Sequence, residues 1–244
     1  NKQQLANKIW KSANNMRSKI EASEYKDFIL GFIFYKYVSE AEERFAVQNG
    51  MQEDEFKDML VENDAETAKF FLDNLGYFIP YNYLFSKWIK DGAAFSIADV
   101  RQGLSCFTRN INPDYKKVYD KVFDTLQTGL GKLGQTDAEQ SKSARDIISL
   151  INEIPMDSKQ GYDVLGYIYE YLISQFAANA GKKAGEFYTP HEVSELMSEI
   201  VAYHLRDNKT VDILDPTSGS GSLLINIGKA MSKHIDPTKI VYFA

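Results

Sequence analysis

Val211-Asp-Ile-Leu-Asp215-Pro-Thr-Ser-Gly219-Ser-Gly221-Ser222-Leu-Leu-Ile is the stretch that decides the fold. A short run with β-branched residues ends on an acid, turns through small residues and opens an apolar helix. In open parallel α/β sheets, ligands bind at the carboxyl ends of the strands, beside helix amino termini. Gly219 and Gly221 permit a sharp turn and close approach of a ligand to the backbone. The free amides of the first helical turn and the helix dipole favour an anion there. A dinucleotide fingerprint requires Gly-x-Gly-x-x-Gly, and its third position is Leu224 here. A phosphate-binding loop requires Gly-Lys followed by Ser or Thr, whereas the Gly-Lys pairs in this chain precede Leu, Lys and Ala. A plain strand–turn–helix corner stays open as the alternative. The surrounding rhythm is helix, strand, glycine turn, helix, strand, with Ile240 to Phe243 as the second strand. That pattern predicts the opening unit of a doubly wound α/β sheet.

Just upstream lies Thr189-Pro190-His-Glu192-Val193-Ser-Glu-Leu-Met197. Thr189 is predicted as an N-cap, Pro190 as the first helical residue, and Glu192 as completing a capping box. Alone, this segment reads equally well as a well-capped helix. Taken together, the two segments place two anion-ready helix amino termini one short helix apart. The carboxylate of a zwitterionic amino-acid head requires such a receptor.

The chain has 244 residues and a net charge of -6, with 44% hydrophobic and 25% charged residues. Its 15 Tyr and 15 Phe are enough for a substantial aromatic core. The acidic balance argues against autonomous gripping of nucleic acid, which needs a basic excess or a partner that supplies it. The single cysteine, Cys106, excludes an internal disulfide and is read as a small buried hydrophobe. The start is polar, and the longest apolar run, Phe28 to Val38, is interrupted by Lys36. No signal peptide or membrane span is expected, and a soluble cytoplasmic protein is. His191 and His204 are too far apart for a two-histidine pair and His234 stands alone, so no metal site is expected. Neither end, Asn1 nor Ala244, reads as a natural terminus.

Residues 1–155 read as a helical domain, and residues 156–244 as the beginning of an α/β domain. Helices are predicted over Leu5 to Met16, Tyr25 to Val47, Asp64 to Leu75, Ser96 to Asn110, Tyr115 to Leu126 and Ser143 to Asn152. Gly76 stops the third of these, and Pro80 starts a turn before Leu84, Phe85 and Trp88. Gly129, Gly131 and Gly134 mark a loop. Tyr162 to Ala180 is a further apolar helix, followed by a glycine-flanked loop with Lys182 and Lys183. That lysine pair is either a solvated loop or a phosphate contact.

Thr189-Pro-x-x-Val-x-x-x-Met197 followed by Asp215-Pro-Thr-Ser-Gly-Ser-Gly-Ser222 resembles the S-adenosylmethionine site of adenine-N6 DNA methyltransferases. Asn179-Ala-Gly-Lys-Lys-Ala-Gly-Glu-Phe-Tyr-Thr-Pro190 is similar to the modification subunits of type I restriction systems. So are Ile9-Trp10, Phe28-Ile-Leu-Gly-Phe-Ile-Phe-Tyr-Lys-Tyr-Val-Ser-Glu40 and Gly76-Tyr-Phe-Ile in the helical half. The resemblance spans nearly the whole chain. It implies a helical N-terminal domain followed by the start of a Rossmann-like methyltransferase domain. It also implies S-adenosylmethionine as cofactor and adenine N6 in double-stranded DNA as the methyl acceptor.

By position, the resemblance assigns Asp215 to orienting the loop and the cofactor amino group. Thr217, Ser218, Gly219 and Gly221 line the methionine portion, and Ser222 is counted with them as cofactor-binding. Glu186, Tyr188, Thr189 and Pro190 cover it from the opposite side. The implied partners are a DNA specificity subunit, a second modification subunit and a restriction subunit. The family's Asn-Pro-Pro-aromatic catalytic loop does not occur in these residues, so the chain is expected to be inactive alone. Two other readings stay open: a non-catalytic helical docking module, or a solitary adenine-N6 methyltransferase.

Overall fold

The computed structural model of the chain describes residues 7, 10, 22–156, 167, 168, 171, 172, 189–218 and 221–243, with 22–27, 191 and 222 described for the backbone alone. The chain divides into two compact units, residues 1–180 and 181–244. Ile168 and Leu172 lie in the core of the first unit, although they follow the sequence boundary near 156.

The first unit contains α1 (Ala22–Gln48), α2 (Phe56–Met59), α3 (Ala65–Leu75), α4 (Phe85–Asp91), α5 (Ile97–Arg109), α6 (Lys116–Tyr119), α7 (Asp124–Gly129) and α8 (Asp137–Asn152). Along α1, the buried residues Phe28, Ile29, Phe32, Ile33, Tyr35, Val38 and Ala46 recur mostly at three- and four-residue spacing. They form one face, against which α4, α7 and α8 pack. Tyr35 stacks on Trp88 at 4.6 Å with a 6° interplanar angle. The same face buries Lys36, Ser39 and Glu42. Polar groups withdrawn from water need partners, and these find them on distant segments. Lys36 donates to the Ile154 carbonyl at 2.8 Å and pairs with Glu40. Ser39 Oγ accepts from the Phe85 amide, and a Glu42 carboxyl oxygen from the Ile79 amide, each at 2.8 Å.

Local signals set most helix ends. Asp64 accepts from the amides of Glu66 and Thr67 at the start of α3, and Gly76 closes that helix at φ +85. Ser96 and Asp99 form a reciprocal capping box on α5. Thr136 caps α8, which therefore begins earlier than the predicted Ser143.

The predicted continuous helix over Tyr115 to Leu126 is broken. α6 ends at Tyr119, Lys121 takes φ 64, and α7 begins at Asp124. The break turns Phe123 into the core, where its ring meets Phe107 at 5.0 Å, Tyr35 at 5.4 Å and Phe34 at 5.6 Å. Tyr115, Val118 and Val122, within the same predicted helix, stay exposed. Tertiary burial of one aromatic ring has overridden a local helical pattern. The glycine-marked loop is likewise partly helical: Gly129 closes α7, and Leu130–Leu133 forms a 3-10 turn with both leucines buried. A side chain at Gly129 would lie 2.9 Å from the Phe28 ring, so its smallness serves packing. The predicted Leu5 to Met16 and Tyr162 to Ala180 helices lie largely outside the described residues.

The second unit contains α9 (His191–Leu205), β1 (Val211–Leu214), α10 (Ser222–Met231) and β2 (Ile240–Phe243). The strands are parallel, with Val211 opposite Ile240 and Leu214 opposite Phe243. One sheet face, with Val211, Ile213 and Ile240, packs with Ala202, Leu224, Ala230 and Met231. This is the strand–helix–strand opening of a parallel α/β sheet. Among the described residues, no helix is long and apolar enough to cross a membrane.

Candidate functional site

The site grows from the carboxyl end of β1. The strand delivers Asp215, whose amide still reaches the sheet by donating to the Phe243 carbonyl at 3.0 Å. Its side chain then folds back on the turn. Oδ1 accepts from the Thr217 amide at 3.0 Å and from the Thr217 hydroxyl at 3.3 Å. An Asp is suited to this place because its short carboxylate satisfies a turn two residues on. Asp215 is 9% exposed, and its other oxygen, Oδ2, is buried without a protein hydrogen-bond partner. A buried unpartnered acceptor is costly unless a donor arrives, so Oδ2 is suited to receive an N–H group from a ligand.

Gly221 closes the turn. It takes φ 74, its amide donates to the Ser218 carbonyl at 2.7 Å, and a Cβ there would meet nothing within 4 Å. Glycine is required by the backbone angle rather than by crowding, and space is left beside the chain. α10 starts at Ser222 with no side-chain cap, leaving its first amides for another acceptor.

α9 begins differently from its sequence reading. Pro190, not Thr189, is the flanking residue, with ψ 141, and no side chain caps the helix. The Pro190 carbonyl accepts from the amides of Val193 and Ser194, so the helix starts at His191 and the Thr189–Glu192 box does not form. The extended ψ of Pro190 keeps it outside the helix. The consequence favours a ligand: the first amides of α9 are also without a side-chain acceptor.

Two contacts join α9 to α10 and to the turn that follows α10. Asn226 Nδ2 donates to Ser194 Oγ at 2.9 Å, and Lys233 pairs with Glu199. Both residue numbers rise together, so the helices run side by side in the same direction. Their amino termini therefore meet at one end, where β1 also delivers Asp215. The result is two helix starts without a side-chain cap among the described residues, which suit a carboxylate, beside a carboxylate oxygen that suits an ammonium. Sequence reasoning missed Ser194 and Asn226. A lone Asn within an apolar helix, opposite Ser at four-residue spacing, was the available signal.

The other sequence candidates are distributed as follows. Thr189 is half-buried and Pro190 exposed at the start of α9, Thr217 is exposed, and Ser218 is half-buried within the turn. Ser222 is the first residue of α10. Glu186, Tyr188, Gly219 and the Lys182–Lys183 pair lie outside the described residues. In the first unit, Cys106 is buried. Burial, with Glu62 beside it, pushes its thiol up to about 12. It is a packing residue, not a nucleophile.

Comparison with known proteins bears on both units. Residues 5–152 match the HsdM N-terminal domain profile, and residues 160–243 match the N-6 DNA Methylase profile. The chain is 29% identical to the type I restriction enzyme MpnII methylase subunit of Mycoplasma pneumoniae, covering 93% of this chain and 44% of that protein. It is 24% identical to the MjaIX methylase subunit of Methanocaldococcus jannaschii, covering 91% and 39% respectively. The crystal structure of a type I restriction-modification system methyltransferase subunit from Streptococcus thermophilus superposes with a TM-score of 0.75 at 31% identity. It covers 100% of this chain and 52% of that one. The chain thus spans about half the length, or less, of these relatives. With residues 5–152 matching the helical domain and a parallel strand–helix–strand unit following in the sequence, the chain belongs to the HsdM N-terminal domain family and carries the start of an N-6 DNA methylase domain.

Proposed function

We propose that this chain is the N-terminal portion of the modification subunit of a type I restriction–modification complex, and that it holds the methionine end of S-adenosylmethionine. The observation that carries the reading is the buried, unpartnered Oδ2 of Asp215, at the end where two uncapped helix amino termini meet. A zwitterionic amino-acid head offers the complementary groups. Asp215 Oδ2 accepts from its ammonium, and the first amides of α9 and α10 donate to its carboxylate. Thr217, Ser218 and Gly221 stand beside the methionine chain, and Gly221 leaves room for it. The family resemblance adds Gly219 and Ser222 to that side, and assigns Glu186, Tyr188, Thr189 and Pro190 to the opposite side.

When bound, S-adenosylmethionine supplies an electrophilic methyl group on its sulfonium. The residues named here bind and orient that group. They do not hold an acceptor base, because methylation of a DNA base also requires a pocket for the flipped nucleotide. No Asn-Pro-Pro-aromatic tetrapeptide occurs in the 244 residues. On this reading, transfer to adenine N6 in double-stranded DNA requires further polypeptide. Sequence recognition falls to a DNA specificity subunit, with a second modification subunit and a restriction subunit in the cytoplasmic complex. The net charge of -6 is consistent with delegating the grip on DNA.

Calorimetric titration of S-adenosylmethionine into the chain and into Asp215→Ala tests the site. Saturable heat from the parent and its loss in the variant are expected. Equal heats from both would refute the assignment. Incorporation of labelled methyl groups into DNA by the chain alone would refute its expected inactivity.

A further inference from the structure

The seam between α9 and α10 is built from unusual materials. α10 is mostly apolar, Leu223, Leu224, Ile225, Ile227 and Met231 among its residues, yet it turns Asn226 into the interface, where it is only 8% exposed. α9 answers with Ser194, Ser198 and Ala202 at successive four-residue steps, all fully buried or nearly so. Ser198 Oγ donates to the Ser194 carbonyl at 2.7 Å, so that hydroxyl is satisfied within its own helix. The Ser194 hydroxyl instead faces across the seam and accepts from Asn226.

A surface of small side chains permits close approach but offers no large ridges to key one helix against another. Apolar burial is non-directional and does not distinguish neighbouring alignments. A hydrogen bond between two named atoms does, and a single buried Asn is a well-attested way to fix helix register. The second tie, Lys233 to Glu199, is exposed on both sides and contributes little to alignment. A slip by one helical turn moves one amino terminus about 5.4 Å past the other. Such a displacement is far larger than the distance window of a hydrogen bond.

We propose that the Asn226–Ser194 hydrogen bond sets the register at which the two helix amino termini meet, making both residues positioning residues for the ligand carboxylate. The inference rests on the zwitterion reading of the Asp215 site and adds what determines its selectivity. Neither side chain needs to touch the ligand. Each acts through the backbone amides at the start of its own helix, Asn226 one turn inside α10 and Ser194 one turn inside α9.

The test compares binding of S-adenosylmethionine with binding of its decarboxylated amine, which keeps the ammonium and sulfonium but lacks the carboxylate. The 244-residue chain, Ser194→Ala, Asn226→Leu and the double variant are each titrated, with circular dichroism to verify folding. The parent chain prefers the carboxylate-bearing ligand. Each single variant loses about tenfold of that preference, the worth of one charge-assisted hydrogen bond. The double variant loses no more than either single one, because both remove the same bond. Affinity for the decarboxylated amine is unchanged. Variants that keep the parent's preference, or that lose affinity for both ligands in parallel, would overturn the positioning role. A parent chain that binds neither ligand, or does not distinguish them, would overturn the zwitterion reading itself. Should Asn226→Leu not fold, Ser194→Ala removes only one hydroxyl and decides the matter alone.

Discussion

Replacing Glu42 with glutamine should make the first unit more stable than the parent by an amount that grows with pH. Glu42 lies on the core face of α1 with 0% exposure. One oxygen accepts from the Ile79 amide at 2.8 Å, and the other has no partner. Burial holds the carboxyl well above its ordinary value of 4.5, the Ile79 amide opposes this in part, and Glu43 adds to it. A carboxyl whose folded pKa is raised binds its proton more tightly folded than unfolded. Its contribution is fully present below about pH 4.5 and is lost as pH rises toward the folded value. Within that window, one extra proton bound by the folded state costs about 1.4 kcal/mol of stability per pH unit.

The Glu42→Gln side chain keeps an acceptor for the Ile79 amide and does not titrate, so this slope disappears from the variant. Glu43 is also raised by burial, but it titrates in both proteins, so only its coupling to Glu42 remains in the difference. Both tryptophans, Trp10 and Trp88, belong to the first unit, and Trp88 stacks on Tyr35 two turns before Glu42 on α1. Urea unfolding followed by tryptophan fluorescence between pH 5 and pH 8 therefore reads the relevant unit. A difference between variant and parent that stays constant across this range would refute the reasoning.

Two further outcomes follow from burial and close contact. With the Cys106 thiol pushed up to about 12, the native chain should react with iodoacetamide far more slowly than a free thiol. Rapid alkylation at pH 8 before unfolding would show that the thiol is accessible after all. In the second unit, a Cβ at Gly228 would lie 2.3 Å from the Tyr242 hydroxyl. Gly228→Ala should force the half-exposed Tyr242 ring aside and destabilise this unit by at most about 1 kcal/mol, read as faster hydrogen exchange across α10. Tyr242→Phe in the same chain removes the clashing oxygen and should restore part of the protection; no restoration would mean that the strain lies elsewhere.

Much of this molecule is legible in its sequence because the governing interactions are short. Asp64, Gly76 and the Ser96–Asp99 box act within one helical turn of the ends they define. The strands Val211–Leu214 and Ile240–Phe243 and the intervening glycine turn likewise declare themselves locally. The family resemblance rests on these same contiguous motifs. What the sequence left undecided depends on distant partners. α6 and α7 separate because Phe123 packs on rings from α1 and α5, and no local pattern announces that pull. Pro190 rather than Thr189 flanks α9, because a backbone angle and a carbonyl replace the expected side-chain cap. Burial of Asp215 Oδ2 without a partner, and the Asn226–Ser194 alignment of the two helices, arise only when α9 packs beside α10. The residues of the site are written in sequence order. The meeting of the α9 and α10 amino termini beside Asp215 is a property of the packed helices, since side-chain chemistry is local and register between separated elements is not.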